Sequence, residues 1–194
     1  MPNLYIIAGC NGAGKTTASF TIFPDILNCR QFVNADNIAY GLSPFDVESV
    51  ALEAGKIMLQ RINELLVLGD DFAIETTLTT RSYVSLIQKA KGLGYKVSLI
   101  YIWLNSPQLA IERVAERVKN GGHNIPTDVI ERRYFRGVKN LFELFIPICD
   151  LWTVADNTYG NLIQVASKNE IENVIEDVEL WNVINKQFYE SKTR

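Results

Sequence analysis

Residues 6–20 read IIAGCNGAGKTTASF, an apolar run that breaks into three glycines and then a lysine followed by two threonines. Gly9 through Thr16 fits the spacing G-x-x-x-x-G-K-[ST] without a gap. Each position has a chemical reason. Gly9, Gly12 and Gly14 let the chain curl so that backbone N–H groups from Asn11, Ala13 and their neighbours through Thr17 converge on phosphate oxygens. The helix that follows adds the positive end of its dipole. Lys15 then reaches the β- and γ-phosphates, and the Thr16 hydroxyl ligates Mg²⁺. Four constrained positions meet by accident in roughly 1% of chains this long, at ordinary glycine usage. The stretch implies a bound purine nucleoside triphosphate, ATP first, with Mg²⁺.

The chain around it is ordinary. Its 194 residues suit one domain, residues 1–194, with a full core. Hydrophobic residues are 47% and charged residues 21%, which argues against disorder or a fibre. A net charge of −3 and a pI near 5.3 disfavour a broad basic face for nucleic acid. Cys10, Cys29 and Cys149 are scattered, odd in number and without a CxxC pair, so a reducing cytoplasm is expected. The N-terminus lacks the basic start of a signal peptide, and Val97–Leu104 is too short to cross a bilayer.

Short apolar runs alternate with helix-period segments, the pattern of a parallel α/β protein. Strands are predicted at 4–8, 31–34, 72–75, 97–104 and 151–155, with an antiparallel edge strand at 162–167. The fold expected is therefore a P-loop NTPase: a mostly parallel five-stranded sheet sandwiched by helices. Ser43-Pro44 reads as the cap of a long amphipathic helix that Gly69 stops. Further helices are predicted at 83–91, from Ser106-Pro107 to about 119, from a Thr127 cap to about 145, and at 170–189, with ESKTR as a frayed tail. The segment NGGHNIPT (120–127) reads as a mobile lid, about 118–128, between two helices.

A P-loop alone does not separate kinases from switches and motors. N-K-x-D and LSGGQ-like signatures are absent, and the third strand ends in FAIETT with Glu75 where a Walker-B acid would stand. Asp36 is read as ending the second strand, in FVNADNIA. Strand carboxyl ends face the ligand crevice of such folds, so both acids come to the side of Lys15. A kinase needs this: one carboxylate to take the proton of the acceptor hydroxyl, another to hold that hydroxyl or the waters of the metal. The alternatives are an N-cap for Asp36 beside Asn37, and an edge charge or pure Mg²⁺ support for Glu75. Thr76, Thr77 and Arg81 are candidate substrate contacts. Arg113 and Arg117, and Arg132 and Arg136 with Arg133 between them, repeat a like charge at i,i+4. Such pairs repel unless an anion lies between them, which makes them candidate phosphate clamps, Arg117 and Arg132 foremost. His123, the single histidine, sits in the lid as a candidate contact to substrate.

Taken together, AGCNGAGKTT, FVNADNIA, IETTLTTRSY and RVKNGGHNIPTDVIERRYFRGVKNL resemble the zeta toxin family of P-loop kinases, in particular its short bacterial branch. The likeness covers roughly residues 3–157. It implies an ATP-dependent kinase of the kind that phosphorylates UDP-N-acetylglucosamine on the 3'-hydroxyl of the sugar. It implies Asp36 as catalytic base, Glu75 as the acid that binds the acceptor sugar, and Arg117 with Arg132 or Arg133 as contacts to the triphosphate. The chain departs from the family pattern in its length, in ADNIA without a following arginine, and in ETT for the more usual E-G-T. The expected partners are ATP, a small hydroxyl-bearing metabolite and, by the same resemblance, a protein antitoxin or inhibitor. A second reading is an ATP-binding partner that hydrolyses slowly and works by association. A nucleic-acid end kinase is disfavoured by charge.

Overall fold

The computed structural model describes residues 1–192. The chain runs β1 (Asn3–Gly9), α1 (Lys15–Thr21) with a π-helical continuation (Ile22–Ile26), β2 (Phe32–Val33), α2 (Ala35–Leu42), α3 (Ala51–Leu68), β3 (Phe72–Thr76) and α4 (Ser82–Gly92). It continues through β4 (Lys96–Trp103), α5 (Pro107–Lys119), α6 (Thr127–Asn140) with a π-helical turn (Leu141–Phe145), β5 (Leu151–Asp156), β6 (Ile163–Lys168), β7 (Asn173–Ile175) and α7 (Val178–Ser191). The strands form one sheet in the order β2-β3-β1-β4-β5-β6-β7. The first five are parallel, and β6 and β7 add an antiparallel hairpin to β5. This is the α/β P-loop architecture expected, with seven strands among the described residues.

Burial explains the order. β1 and β4 lie between neighbours and bury apolar residues on both faces, which is why they read as unbroken apolar runs. One face carries Leu4, Ile6, Val97, Leu99 and Tyr101 against Ile62 and Leu65 of α3, Ile87 of α4 and Ile184 of α7. The other carries Ile7 and Ile102 against Phe23, Ala110 and Val114 of α5, and Tyr134 of α6. The chain passes to β3 on one side of β1 and to β4 on the other. The crevice at their carboxyl ends is thus the topological switch point, and the Gly9–Lys15 turn opens into it.

Local signals held where a residue closes its own turn. Gly69 ends α3 at φ 74°, and Ser106 Oγ accepts from Leu109 N at the start of α5. Elsewhere the structure corrects the sequence reading. The helix expected from Ser43-Pro44 begins only at Ala51, because Asp46 and Ser49 close a turn on each other's backbone. Before it stands α2, which the sequence reading lacked; Asn34 caps it by accepting from Asp36 N and Asn37 N. Thr127 is the first residue of α6 rather than its cap. Residues 170–177 are not helical: Asn169 folds a turn onto Ile171 N and Glu172 N, β7 follows, and Asp177 caps α7. α7 runs through Glu190 and Ser191, which the sequence reading had put in a tail; Thr193 and Arg194 lie outside the described residues.

Candidate active site

The phosphate-loop sequence forms the floor of the site. β1 ends at Gly9, whose φ is 145° and whose missing Cβ would lie 2.2 Å from the carbonyl oxygen of Ile102 on β4. Any side chain there would push the loop off the sheet. α1 starts at Lys15 with no side chain capping it, so its first N–H groups face the crevice without intrahelical acceptors. Among the described residues nothing accepts from Gly14 N–H either. Asn11 and Ala13 are buried, while Thr17 is exposed on the first turn. Lys15 is buried, curled back so that Nζ donates to Cys10 O at 2.9 Å. Burial pushes the Cys10 thiol up to about 11, which keeps it protonated and unreactive beside the lysine.

Glu75 meets this floor through the sheet register, since it pairs with Ile7 two residues before the loop begins. Its Oε2 accepts from Thr16 Oγ1 at 2.8 Å and from Asn34 Nδ2 at 2.6 Å, and its Oε1 lies 3.7 Å from Lys15 Nζ. Lysine, threonine hydroxyl and carboxylate therefore share one point. Asp36 sits on the first turn of α2 rather than at a strand end, with its side chain 58% exposed. It lines a cleft of about 550 Å³ that runs from Asn11 and Lys15 past Glu75 to Thr76, Thr77, Thr79 and Thr80. It also borders a second hollow of about 360 Å³ between residues 44–48 and 121–124.

The far wall of the cleft is braced by α6. Leu78 is fully buried at φ 56°, an uncommon conformation for leucine, and its carbonyl accepts from buried Asn140 Nδ2 at 2.6 Å. Thr76 Oγ1 accepts from Leu78 N, and the Thr77 and Thr79 hydroxyls bond each other. The expected contacts Thr76 and Thr77 thus line the cleft, whereas Arg81 is exposed before α4 and does not.

The arginines divide in the same way. Arg133 Nη1 donates to Asn11 Oδ1 at 3.2 Å and lines the cleft. Burial lowers its pKa and Asp36 opposes the shift, so it remains a guanidinium. Arg117 Nη2 donates to His123 O at 3.0 Å, and its Nε is buried without an acceptor among the described residues. Arg113 is occupied by the carbonyls of Asn157 and Thr158. Arg132 and Arg136 are exposed on α6 and do not line the cleft. His123 Nε2 lies 3.9 Å from Asp36 Oδ2. Burial first, then Arg117, lowers its pKa against the opposing pull of Asp36 and Glu48. It is neutral at pH 7.

These residues fit a magnesium nucleotide. The Gly14 N–H of the loop has no acceptor among the described residues. Among the described residues no cluster of three or more His, Cys, Asp or Glu could hold a metal alone. Thr16 and Glu75 would hold Mg²⁺ only with phosphate oxygens as further ligands, its usual habit. Asn34, Asn140 and Asn157 were absent from the sequence reading of the site. Asn34 had a local signal, an asparagine heading a helix, while the other two act across 62 and 144 residues.

Comparison with known proteins bears on the fold and the family. A protein of Haemophilus influenzae described only as uncharacterized is 31% identical over 127 residues, covering 65% of this chain and 88% of its own. Among solved structures, AvrRxo1-ORF1:AvrRxo1-ORF2 superposes with a TM-score of 0.79 in its crystal with sulphate ions and 0.77 in its crystal with ATP. Identity is 20% in both, over 95% of this chain but only 63% of that one, so this chain spans under two thirds of its length. The PezAT toxin-antitoxin system of Streptococcus pneumoniae gives 0.67 at 20% identity, over all of this chain and 88% of the other. No helix among the described residues is long and apolar enough to cross a membrane. The family model described as zeta toxin matches residues 30–146, more than half of the sequence. The chain belongs to the zeta toxin family of P-loop kinases.

Proposed function

We propose that the protein is a Mg·ATP-dependent phosphotransferase that passes the γ-phosphoryl group of ATP to a hydroxyl of a small metabolite, a UDP-N-acetyl sugar being the first acceptor to try. The observation that carries this reading is the convergence of Lys15, Thr16 and Glu75 at one end of a cleft whose wall bears the free carboxylate of Asp36. The similar fold crystallised with ATP supports the choice of nucleotide.

In this reading the loop N–H groups hold the β- and γ-phosphates, and Lys15 leaves the Cys10 carbonyl to reach them. Mg²⁺, held by Thr16 with Glu75 behind it, neutralises charge on the phosphate oxygens when bound. Arg133, already beside Asn11, supplies positive charge that the transferring group needs, whereas Arg117, bonded to His123 and outside the cleft lining, would join it only if residues 120–126 move. Arg132 stays on the solvent side of α6. Asp36 takes the proton of the acceptor hydroxyl, and Thr76, Thr77 and the outer carboxylate edge of Glu75 hold the acceptor. His123, 3.9 Å from Asp36, stands in the 120–126 segment that would close over the acceptor and exclude water once the site is filled. Three free buried cysteines fit a cytoplasmic setting.

A screen of hydroxyl-bearing metabolites, UDP-sugars first, tests the proposal by ADP release above the ATP-only background. Release with one acceptor class and formation of its phosphate ester is the expected result. A background ATPase untouched by every acceptor, but altered by a protein partner, would overturn it. That outcome would favour an association-driven antitoxin or inhibitor complex, the reading supported by the two-component systems among the similar structures.

A further inference from the structure

We infer that Asn157, in the turn after β5, is a positioning residue that sets the direction of the phosphate loop, with Arg113 locking it in place. The inference rests on the nucleotide reading of that loop. Asn157 Nδ2 donates to Ala13 O at 2.8 Å, and a Cβ on Gly14 would lie 2.6 Å from the same nitrogen. The amide therefore lies flush against the peptide that joins Ala13 to Gly14.

That peptide is a rigid plane whose carbonyl and N–H point opposite ways. Holding the Ala13 carbonyl outward forces the Gly14 N–H toward the crevice, where among the described residues it has no acceptor. Glycine at φ 88° has little intrinsic preference for one orientation of its peptide, so the loop itself does not decide the matter. Asn157 decides it from outside.

Asn157 is in turn immobilised. Its backbone N donates to Trp103 O at 3.0 Å. Its carbonyl accepts from Arg113 Nη2 at 2.8 Å, and the same nitrogen donates to Thr158 O at 3.0 Å. Thr158 is tied back to Asp156 Oδ1 through its own N–H and accepts from Asn105 N. Arg113 also packs its Cβ where a side chain on Gly12 would be, 3.2 Å away. The loop is thus braced at Gly12 by one residue and at Ala13–Gly14 by another. This accounts for why Arg113 is spent on carbonyls rather than on the cleft.

The test needs no acceptor. MgADP is titrated by calorimetry into wild type, Asn157→Ala, Asn157→Asp and Lys15→Ala, with thermal denaturation of each. Wild type should bind, and Lys15→Ala should bind far more weakly. Asn157→Ala should weaken binding roughly tenfold, the scale of one hydrogen bond to a loop that receives an anion. Asn157→Asp keeps the shape but replaces the donor with an acceptor facing a carbonyl, so it should weaken binding further, roughly a hundredfold. A residue that merely fills space would give the reverse order. In ¹H–¹⁵N spectra the Gly14 amide should shift on MgADP addition in wild type and not in Asn157→Asp. Should Asn157→Ala fail to fold, the isosteric Asn157→Asp decides. Both variants within twofold of wild type, while Lys15→Ala loses binding, would overturn the inference and leave the nucleotide reading standing. A wild type that binds no MgADP would overturn both.

Discussion

Lys15 and Asp36 line the same cleft, yet the lysine side chain is 7% exposed and the aspartate 58%. The phosphate side is buried and braced before any nucleotide arrives: Lys15 on Cys10, Thr16 on Glu75, Arg133 on Asn11, Asn157 on Ala13. The side proposed for the acceptor is open, and the Asp36 carboxylate there has no hydrogen bond among the described residues beyond the approach of His123. On the proposed function the contrast follows from the ligands. Every nucleoside triphosphate presents the same phosphates, so a preorganised cradle loses nothing by being rigid. An acceptor differs from one kinase to the next, and its recognition is carried by loops and helix ends that can vary without disturbing the sheet.

The comparison breaks first at Asp36. Asp36→Asn should lower phosphoryl transfer by about 10²–10⁴-fold, the usual worth of a general base, while MgADP affinity changes less than about twofold. Equal loss of both would mean that the two sides are not separable. Lys15→Ala should do the converse to nucleotide handling, costing about 10²–10³-fold in turnover with weaker nucleotide binding. Steady-state kinetics beside calorimetry reads both.

Asn140→Ala probes the brace of the acceptor wall. It strands the buried Leu78 carbonyl and should destabilise the fold by about 1–3 kcal/mol, visible as a lower Tm. The acceptor KM should rise as the Thr77–Thr80 wall loosens, with MgADP affinity kept. A smaller effect separates neighbouring arginines. Arg133→Ala, losing Asn11 and the cleft, should weaken nucleotide binding roughly tenfold, and Arg132→Ala by no more than about twofold. Equal effects would return Arg132 to the site.

The smallest effect is on pH. His123 has a folded pKa below its unfolded value of about 6.5, chiefly through burial and Arg117. The unfolded or opened segment therefore binds the proton more readily. The observed placement of His123 beside Asp36 is fully favoured above about pH 6.5 and is lost as pH falls through the lower folded pKa. Hydrogen exchange of these amides should accelerate on acidification beyond its intrinsic rate, and His123→Gln should remove that dependence.

The phosphate side was legible in the sequence because its chemistry is local. Gly9, Gly12, Gly14, Lys15 and Thr16 lie within eight residues, and their spacing alone prescribes the turn. Gly69 and Ser106 were legible for the same reason. α2 was not, because a signal at Ser43-Pro44 competed with the quieter asparagine cap at Asn34. β7 was not, because three residues paired only through a hairpin look like the start of the helix that follows. Arg132 and Arg133 are adjacent in sequence, and only the rotation of α6 against the P-loop tells which one faces it.

By itself, then, the sequence determined an α/β P-loop fold, and it proposed the residues of a phosphate cradle with two acids beside it. The cradle is a matter of short-range spacing and Glu75 of a strand end at the carboxyl edge of a parallel sheet, whereas Asp36 reaches the cleft from the first turn of α2. Tertiary structure alone decided that Glu75 faces Thr16, that Arg113 belongs to a turn 44 residues away, and that Asn157 reaches back across 144 residues to hold Ala13. Hydrogen bonds over such separations depend on which strands are neighbours, and strand order leaves no mark at the positions it joins.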